Sequence, residues 1–95
     1  MAAYMIVDLT VNDPEGFARY REMVPPTIAA YGGRYLARGG AISPMEGGWD
    51  PARIIVLEFP SVEQAKAWWS SPEYAEAKAL RMQTADTKMI IVEGL

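Results

Sequence analysis

The extended segments of this chain are apolar on both sides, and that restricts the folds open to it. Side chains alternate across a strand, so each segment divides into two faces. Residues 4–11, 34–38, 53–59 and 88–93 read as strands, rich in β-branched and aromatic types and bounded by turn formers. One set of their side chains, Met5, Val7, Leu9, Val11, Ile55, Leu57, Phe59, Ile90 and Val92, is wholly apolar and is expected to meet the helices. The other, Tyr4, Ile6, Asp8, Thr10, Leu36, Ile54, Val56, Met89 and Ile91, is also largely apolar, and no further helix is left to cover it. An exposed patch of that size is unusual on a monomer. A second copy packed sheet to sheet is the economical cover, so the chain is expected to be a homodimer.

Helix signals lie between the strands. Asp13 suits an N-cap and Pro14 the first helical turn, where a missing N–H costs nothing. Phe17, Tyr20, Val24, Ile28 and Tyr31 recur at spacings of three or four and mark a buried face. Pro25-Pro26 is expected to kink or split this helix, and Gly32-Gly33 to end it. Ser61 to Gln64 matches a capping box, with Gln64 reaching back to the cap. The helix that follows is expected to bury Val62, Ala65 and Trp69. Ser71-Pro72-Glu73 opens another, with Tyr74, Ala77 and Arg81 on one side. Residues 39–52 form a long connection with a short extended piece expected at 42–46. The order β-α-β-β-α-β predicts one α+β domain over residues 1–95. Its simplest packing is a four-stranded antiparallel sheet of order 4-1-3-2 with the helices on one face, the split βαβ arrangement.

Composition removes several kinds of chemistry. The chain has 95 residues with no Cys and no His, so thiolate and imidazole metal ligands, a haem-ligating His, a Cys nucleophile and a His general base are all unavailable. No metal or cofactor is expected. The net charge of -3 and the lack of a Lys/Arg block argue against nucleic acid. No apolar run approaches the ~20 residues of a membrane span, and no signal-peptide pattern opens the chain, so a cytoplasmic location and no membrane partner are expected.

Tyr31-Gly32-Gly33-Arg34-Tyr35-Leu36, Arg38-Gly39-Gly40, Glu46-Gly47, Arg53, Glu58-Phe59-Pro60-Ser61 and Ser71-Pro72-Glu73-Tyr74 together resemble the domain of unknown function 1330 family, in one register over nearly the whole chain. The resemblance implies a ferredoxin-like fold of the dimeric α+β barrel type. It implies no particular function. The wider superfamily holds cofactor-free monooxygenases, isomerases, dehydratases and haem enzymes, and the missing histidine argues against the haem branch.

The candidate site residues are polar groups that the strand pattern places near the apolar faces. Arg38-Gly39-Gly40 offers a bidentate donor and exposed backbone N–H groups for an anion, or else a tight turn with Arg38 paired to Asp8 or Glu46. Arg38 is expected on the face opposite the helices, at one end of the sheet with Asp8 and Arg53, and Glu58 at the other end. Tyr20 looks inward from its helix, and Trp49 lies in the long connection, where it either packs or closes over a ligand. Two readings remain open. One is non-catalytic: a module binding a small anionic or aromatic metabolite through Arg38, Gly39, Gly40, Tyr20, Arg53, Glu58 and Trp49, or a purely structural dimer whose charged residues pair internally. The other is a cofactor-free monooxygenase- or isomerase-like enzyme, in which Arg38 orients the substrate and Glu46 or Asp8 carries protons.

Overall fold

The computed structural model describes residues 1–95. Its elements run β1 (Ala3–Val11), α1 (Pro14–Ala30), β2 (Arg34–Arg38), β3 (Ile54–Phe59), α2 (Val62–Trp69), α3 (Pro72–Thr84) and β4 (Ala85–Glu93). The sheet order is β2-β3-β1-β4 with every pairing antiparallel, the order the strand pattern predicts. All three helices contribute to one core with Met5, Val7, Leu9, Leu57 and Phe59 of the sheet. No helix is long and apolar enough to cross a membrane.

The helix starts follow local chemistry. The Asp13 carboxylate accepts from the Gly16 N–H at 3.2 Å, the Ser61 hydroxyl from the Gln64 N–H at 3.1 Å, and the Ser71 hydroxyl from the Tyr74 N–H at 3.2 Å. Each satisfies a backbone donor that the first helical turn leaves unpaired. Gly16 is required by a close approach: a Cβ there would stand 2.6 Å from the Thr84 methyl group. Gly32 ends α1 at φ +76°, where an L side chain is strained.

Four local expectations are corrected. First, α1 runs unbroken through Pro25 and Pro26. The prolines remove two ladder bonds, but Val24 and Ile28 are buried on either side of them, and the Thr27 hydroxyl accepts from the Trp68 indole N–H at 3.0 Å. Tertiary packing therefore holds both halves in line. Second, the Gln64 side chain does not reach back to the cap; its amide donates to the Tyr31 carbonyl at 3.1 Å and ties α2 to the end of α1. Third, residues 42–46 form no strand.

The fourth correction concerns phase. In α2 the buried tryptophan is Trp68, 1% exposed, while Trp69 is 40% exposed beneath the Lys78 ammonium. Trp68 stacks on Tyr74 with centroids 4.0 Å apart and leans on Phe59 at 5.6 Å. In β4 the phase also differs by one residue. Ile91 pairs with Met5 and Met89 with Val7, so these two face the helices, while Ile90 and Val92 stand on the open face. The carbonyl of Thr84 accepts from the N–H groups of both Asn12 and Asp13, fixing where β4 begins against β1. The open face thus carries Tyr4, Ile6, Ile54, Val56, Ile90 and Val92, and Ile90 is 59% exposed.

Candidate functional site

The space between the sheet and α1 is lined by aromatic and aliphatic side chains together with three arginines. Val7, Leu9, Ile55 and Leu57 form its sheet wall, Phe17, Tyr20 and Val24 its helix wall, and Trp68 part of its floor. Arg21, Arg38 and Arg53 stand among its lining residues. The cavity measures about 30 Å3, enough for a water molecule.

Arg38 reaches this space because of an irregularity in β2. Arg34 pairs with Glu58 and Tyr35 with Leu57, but Ala37 then pairs with Val56 and Arg38 with Ile55, so Leu36 is an extra residue. The slip reverses the side-chain alternation beyond it. Arg38 therefore shares the helix-facing side with Ile55, not the opposite face expected from strict alternation. Its guanidinium lies over the Tyr35 ring at 4.6 Å, and that of Arg53 over the Phe17 ring at 5.4 Å. Neither has a carboxylate partner, since the ion pair of this chain is Arg34–Glu58 at 2.7 Å on the open face. Burial pushes the Tyr35 hydroxyl above its ordinary pKa, and the positive charges of Arg38 and Arg21 oppose that rise.

A hydrogen-bond chain backs the cavity floor. The Arg81 Nε–H donates to the Tyr74 hydroxyl at 3.1 Å, and the Tyr74 and Tyr20 hydroxyls share a bond of 3.0 Å. Three donors serve two bonds, so one phenolic proton is left over. A cation at the Arg81 end polarises the chain toward Tyr20 and leaves the Tyr20 O–H as the free donor beside the cavity. Burial, with Tyr74 adding to it, holds the Tyr20 hydroxyl well above the usual phenol range, so it is a donor and not a phenolate.

The remaining candidates lie elsewhere. Asp8 is on the open face, where it accepts from the Trp49 indole N–H at 3.4 Å. Glu46 and Trp49 belong to the long connection, which runs beside Ile6 and Ile54 on that same face. Glu58 is occupied by Arg34. Gly39 has φ +72° and gives its N–H to the Ile54 carbonyl at 3.1 Å, which makes Gly39-Gly40 a turn closing β2 onto β3. The structure thus brings Arg38, Arg53 and Tyr20 to one cavity, and leaves Asp8, Glu46, Glu58 and Trp49 across the sheet. Tyr35 and Arg21 join the cavity group unforeseen. Tyr35 was readable from its alternation with Arg34, whereas nothing local distinguishes Arg21 from other exposed helix cations.

The sequence model for the domain of unknown function DUF1330 matches residues 2–95. The chain belongs to the DUF1330 family. Among curated proteins, none matches it. Solved structures show what fold a DUF1330 chain of this kind has. A protein of unknown function from Rhodopseudomonas palustris is similar at TM-score 0.76 and 20% identity, covering 99% of this chain and 82% of its own. A dimeric ferredoxin-like protein of unknown function from Thermobifida fusca gives 0.68 and 17%, covering 99% and 92%. SnoaB, a cofactor-independent oxygenase from Streptomyces nogalater, gives 0.67 and 10%, covering 99% and 93%. This DUF1330 protein is accordingly a ferredoxin-like α+β domain.

Proposed function

We propose that this DUF1330 protein binds a small aromatic monoanion, such as an aryl carboxylate, between its sheet and α1, and that it does so as a homodimer without a metal. The observation that carries this reading is the pair of guanidinium groups, Arg38 and Arg53, each resting on an aromatic ring at the cavity mouth with no carboxylate beside it. An acid group placed between them gains charge-assisted hydrogen bonds. Its ring takes the place the guanidinium holds against Tyr35, and the Tyr20 hydroxyl supplies a donor deeper in. At about 30 Å3 the cavity is far below the ~300 Å3 at which ligand pockets begin, so binding displaces Arg38 and the rim of β2. β2 is an edge strand held by β3 alone, which makes it the part of the wall that yields at least cost.

The open face supports the homodimer. Leu36, Ile90 and Val92 are exposed there beside half-buried Tyr4, Ile6, Ile54 and Val56. Covering them removes apolar surface from water at roughly 25 cal/mol per Å2. Structural relatives described as dimeric point the same way.

An enzymatic reading draws on the fold shared with SnoaB. Binding is favoured over it because Asp8 and Glu46, the carboxylates that would carry protons, lie on the far side of the sheet from Arg38. The test is calorimetry with benzoate and with benzamide, its neutral analogue. Benzoate should bind and benzamide should not, and Arg38→Lys should weaken benzoate about tenfold, since lysine keeps the charge and loses the planar fork. Equal binding of both ligands, or none of either at millimolar concentration, contradicts the proposal.

A further inference from the structure

A second space lies on the other side of Met89. The groove between β4 and the α2–α3 pair has a volume of about 720 Å3, and its walls include Lys66, Trp69, Arg81, Met82, Thr87 and Met89. One of these is a cation without a carboxylate partner and another a hydroxyl without any partner. Arg81 is 4% exposed, yet the only hydrogen bond of its guanidinium is the one from Nε to Tyr74. No carboxylate neutralises it, because the chain's ion pair lies on the opposite face of the sheet. The buried Thr87 hydroxyl oxygen has no hydrogen-bond partner at all. A buried hydroxyl is costly unless paired, and a guanidinium that meets no carboxylate beside it offers the groove an anion's counter-charge.

The structure assigns to this groove, we infer, a carboxylate-binding site centred on Arg81 and Thr87, which takes a monocarboxylate with an apolar body. The acid group answers the free face of the Arg81 guanidinium, and a χ1 rotation of half-buried Thr87 turns its hydroxyl into the groove to donate to the same carboxylate. The rest of the lining is mostly apolar, with Trp69, Met82, Met89 and Ile90 along it, which suits an alkyl or aryl tail and not a bare inorganic anion. Met residues adapt to ligands of differing shape. Lys66 adds a second positive charge. The site is separate from the Arg38 mouth and does not rest on the reading of that mouth. Its competing occupant is an extended segment of a second copy laid along the free edge of β4.

The test uses the full chain titrated with octanoate, octanol and inorganic phosphate, read by calorimetry and by Trp69 fluorescence, with Trp69→Phe identifying the signal. Octanoate should bind about tenfold or more tightly than octanol, as expected for a charge-assisted contact, and phosphate should not compete. Thr87→Val, which keeps the side-chain shape, should weaken octanoate severalfold without lowering the thermal midpoint. Met82→Glu, at an exposed wall position, should repel octanoate in a chain that still folds. Arg38→Lys should leave octanoate binding unchanged, so failure here is separable from failure at the Arg38 mouth. Octanol binding as tightly as octanoate overturns the site. So does Thr87→Val altering the dimer dissociation constant while octanoate fails to bind, which would assign the groove to a second copy.

Discussion

The hydroxyls of Tyr20 and Tyr74 meet at 3.0 Å in the interior, joining α1 to α3 across 54 positions of sequence. Tyr74 also accepts from Arg81, so it is the middle of the chain and Tyr20 the end. Tyr20→Phe should therefore cost about 1 kcal/mol, the net worth of one buried hydrogen bond. Tyr74→Phe removes both bonds and strips the buried Arg81 of its acceptor, and should cost about 2–3 kcal/mol or more. Urea denaturation of both variants checks the ranking; a Tyr20→Phe loss as large as that of Tyr74→Phe would contradict the central place of Tyr74 between Arg81 and Tyr20.

Trp68 and Trp69 are neighbours with opposite environments. Trp68→Ala empties the stack between Phe59 and Tyr74 and leaves the Thr27 hydroxyl without its donor. It should cost about 3–5 kcal/mol, as large-to-small changes at packed aromatic sites do. Trp69→Ala exposes little that was buried and should cost about 1 kcal/mol or less. Denaturant midpoints with matched m-values decide the order.

These tryptophans also show where the sequence stops being informative. The caps at Asp13, Ser61 and Ser71 were legible because each is a contact over three residues, and the strand order because β-α-β-β-α-β leaves one simplest antiparallel packing. The phase of α2 was not legible, since in eight residues either of two adjacent tryptophans completes a face with Ala65. Nor was that of β4, where Met89 to Val92 are apolar without interruption and only the anchoring of Asn12 and Asp13 on Thr84 sets the register. Of the site, Arg38, Arg53 and Tyr20 were chosen as residue types, but the side of the sheet Arg38 faces depends on the extra residue at Leu36. That irregularity arises in pairing with β3 and has no signature in five residues of β2.

Glu73 and Tyr31 form a surface pair, the Tyr31 hydroxyl donating to the Glu73 carboxylate at 2.6 Å. This bond holds the Glu73 pKa below its ordinary value. A depressed carboxylate contributes stability above its unfolded pKa and loses it as pH falls through the folded one. Tyr31→Phe should thus raise the Glu73 pKa toward the usual range and remove that contribution at neutral pH, leaving stability below the folded pKa unchanged. Carboxyl-carbon NMR titration of wild type and variant measures it; an unchanged Glu73 midpoint would mean the bond does not form in solution.

The open face should hold two copies together. Ile90→Asp puts a carboxylate among Ile6, Val56 and their neighbours, where an unpaired charge between apolar sheets is costly. Ile90 is exposed in the single chain, so the variant should keep its fold by circular dichroism. Sedimentation at micromolar concentration should then show a dimer for wild type and a monomer for the variant. A monomeric wild type would remove the homodimer from the account.

The central claim is that an aryl anion lodges between β2, β3 and α1. Isotope-filtered NOE spectroscopy on labelled protein with unlabelled benzoate localises the ligand directly. The account predicts contacts from the benzoate ring protons to the rings of Phe17 and Tyr35 and to the side chains of Arg38 and Arg53. Benzoate that binds with contacts only to Trp49 and Ile6 on the open face, or only to Trp69 and Met82 in the outer groove, would contradict it.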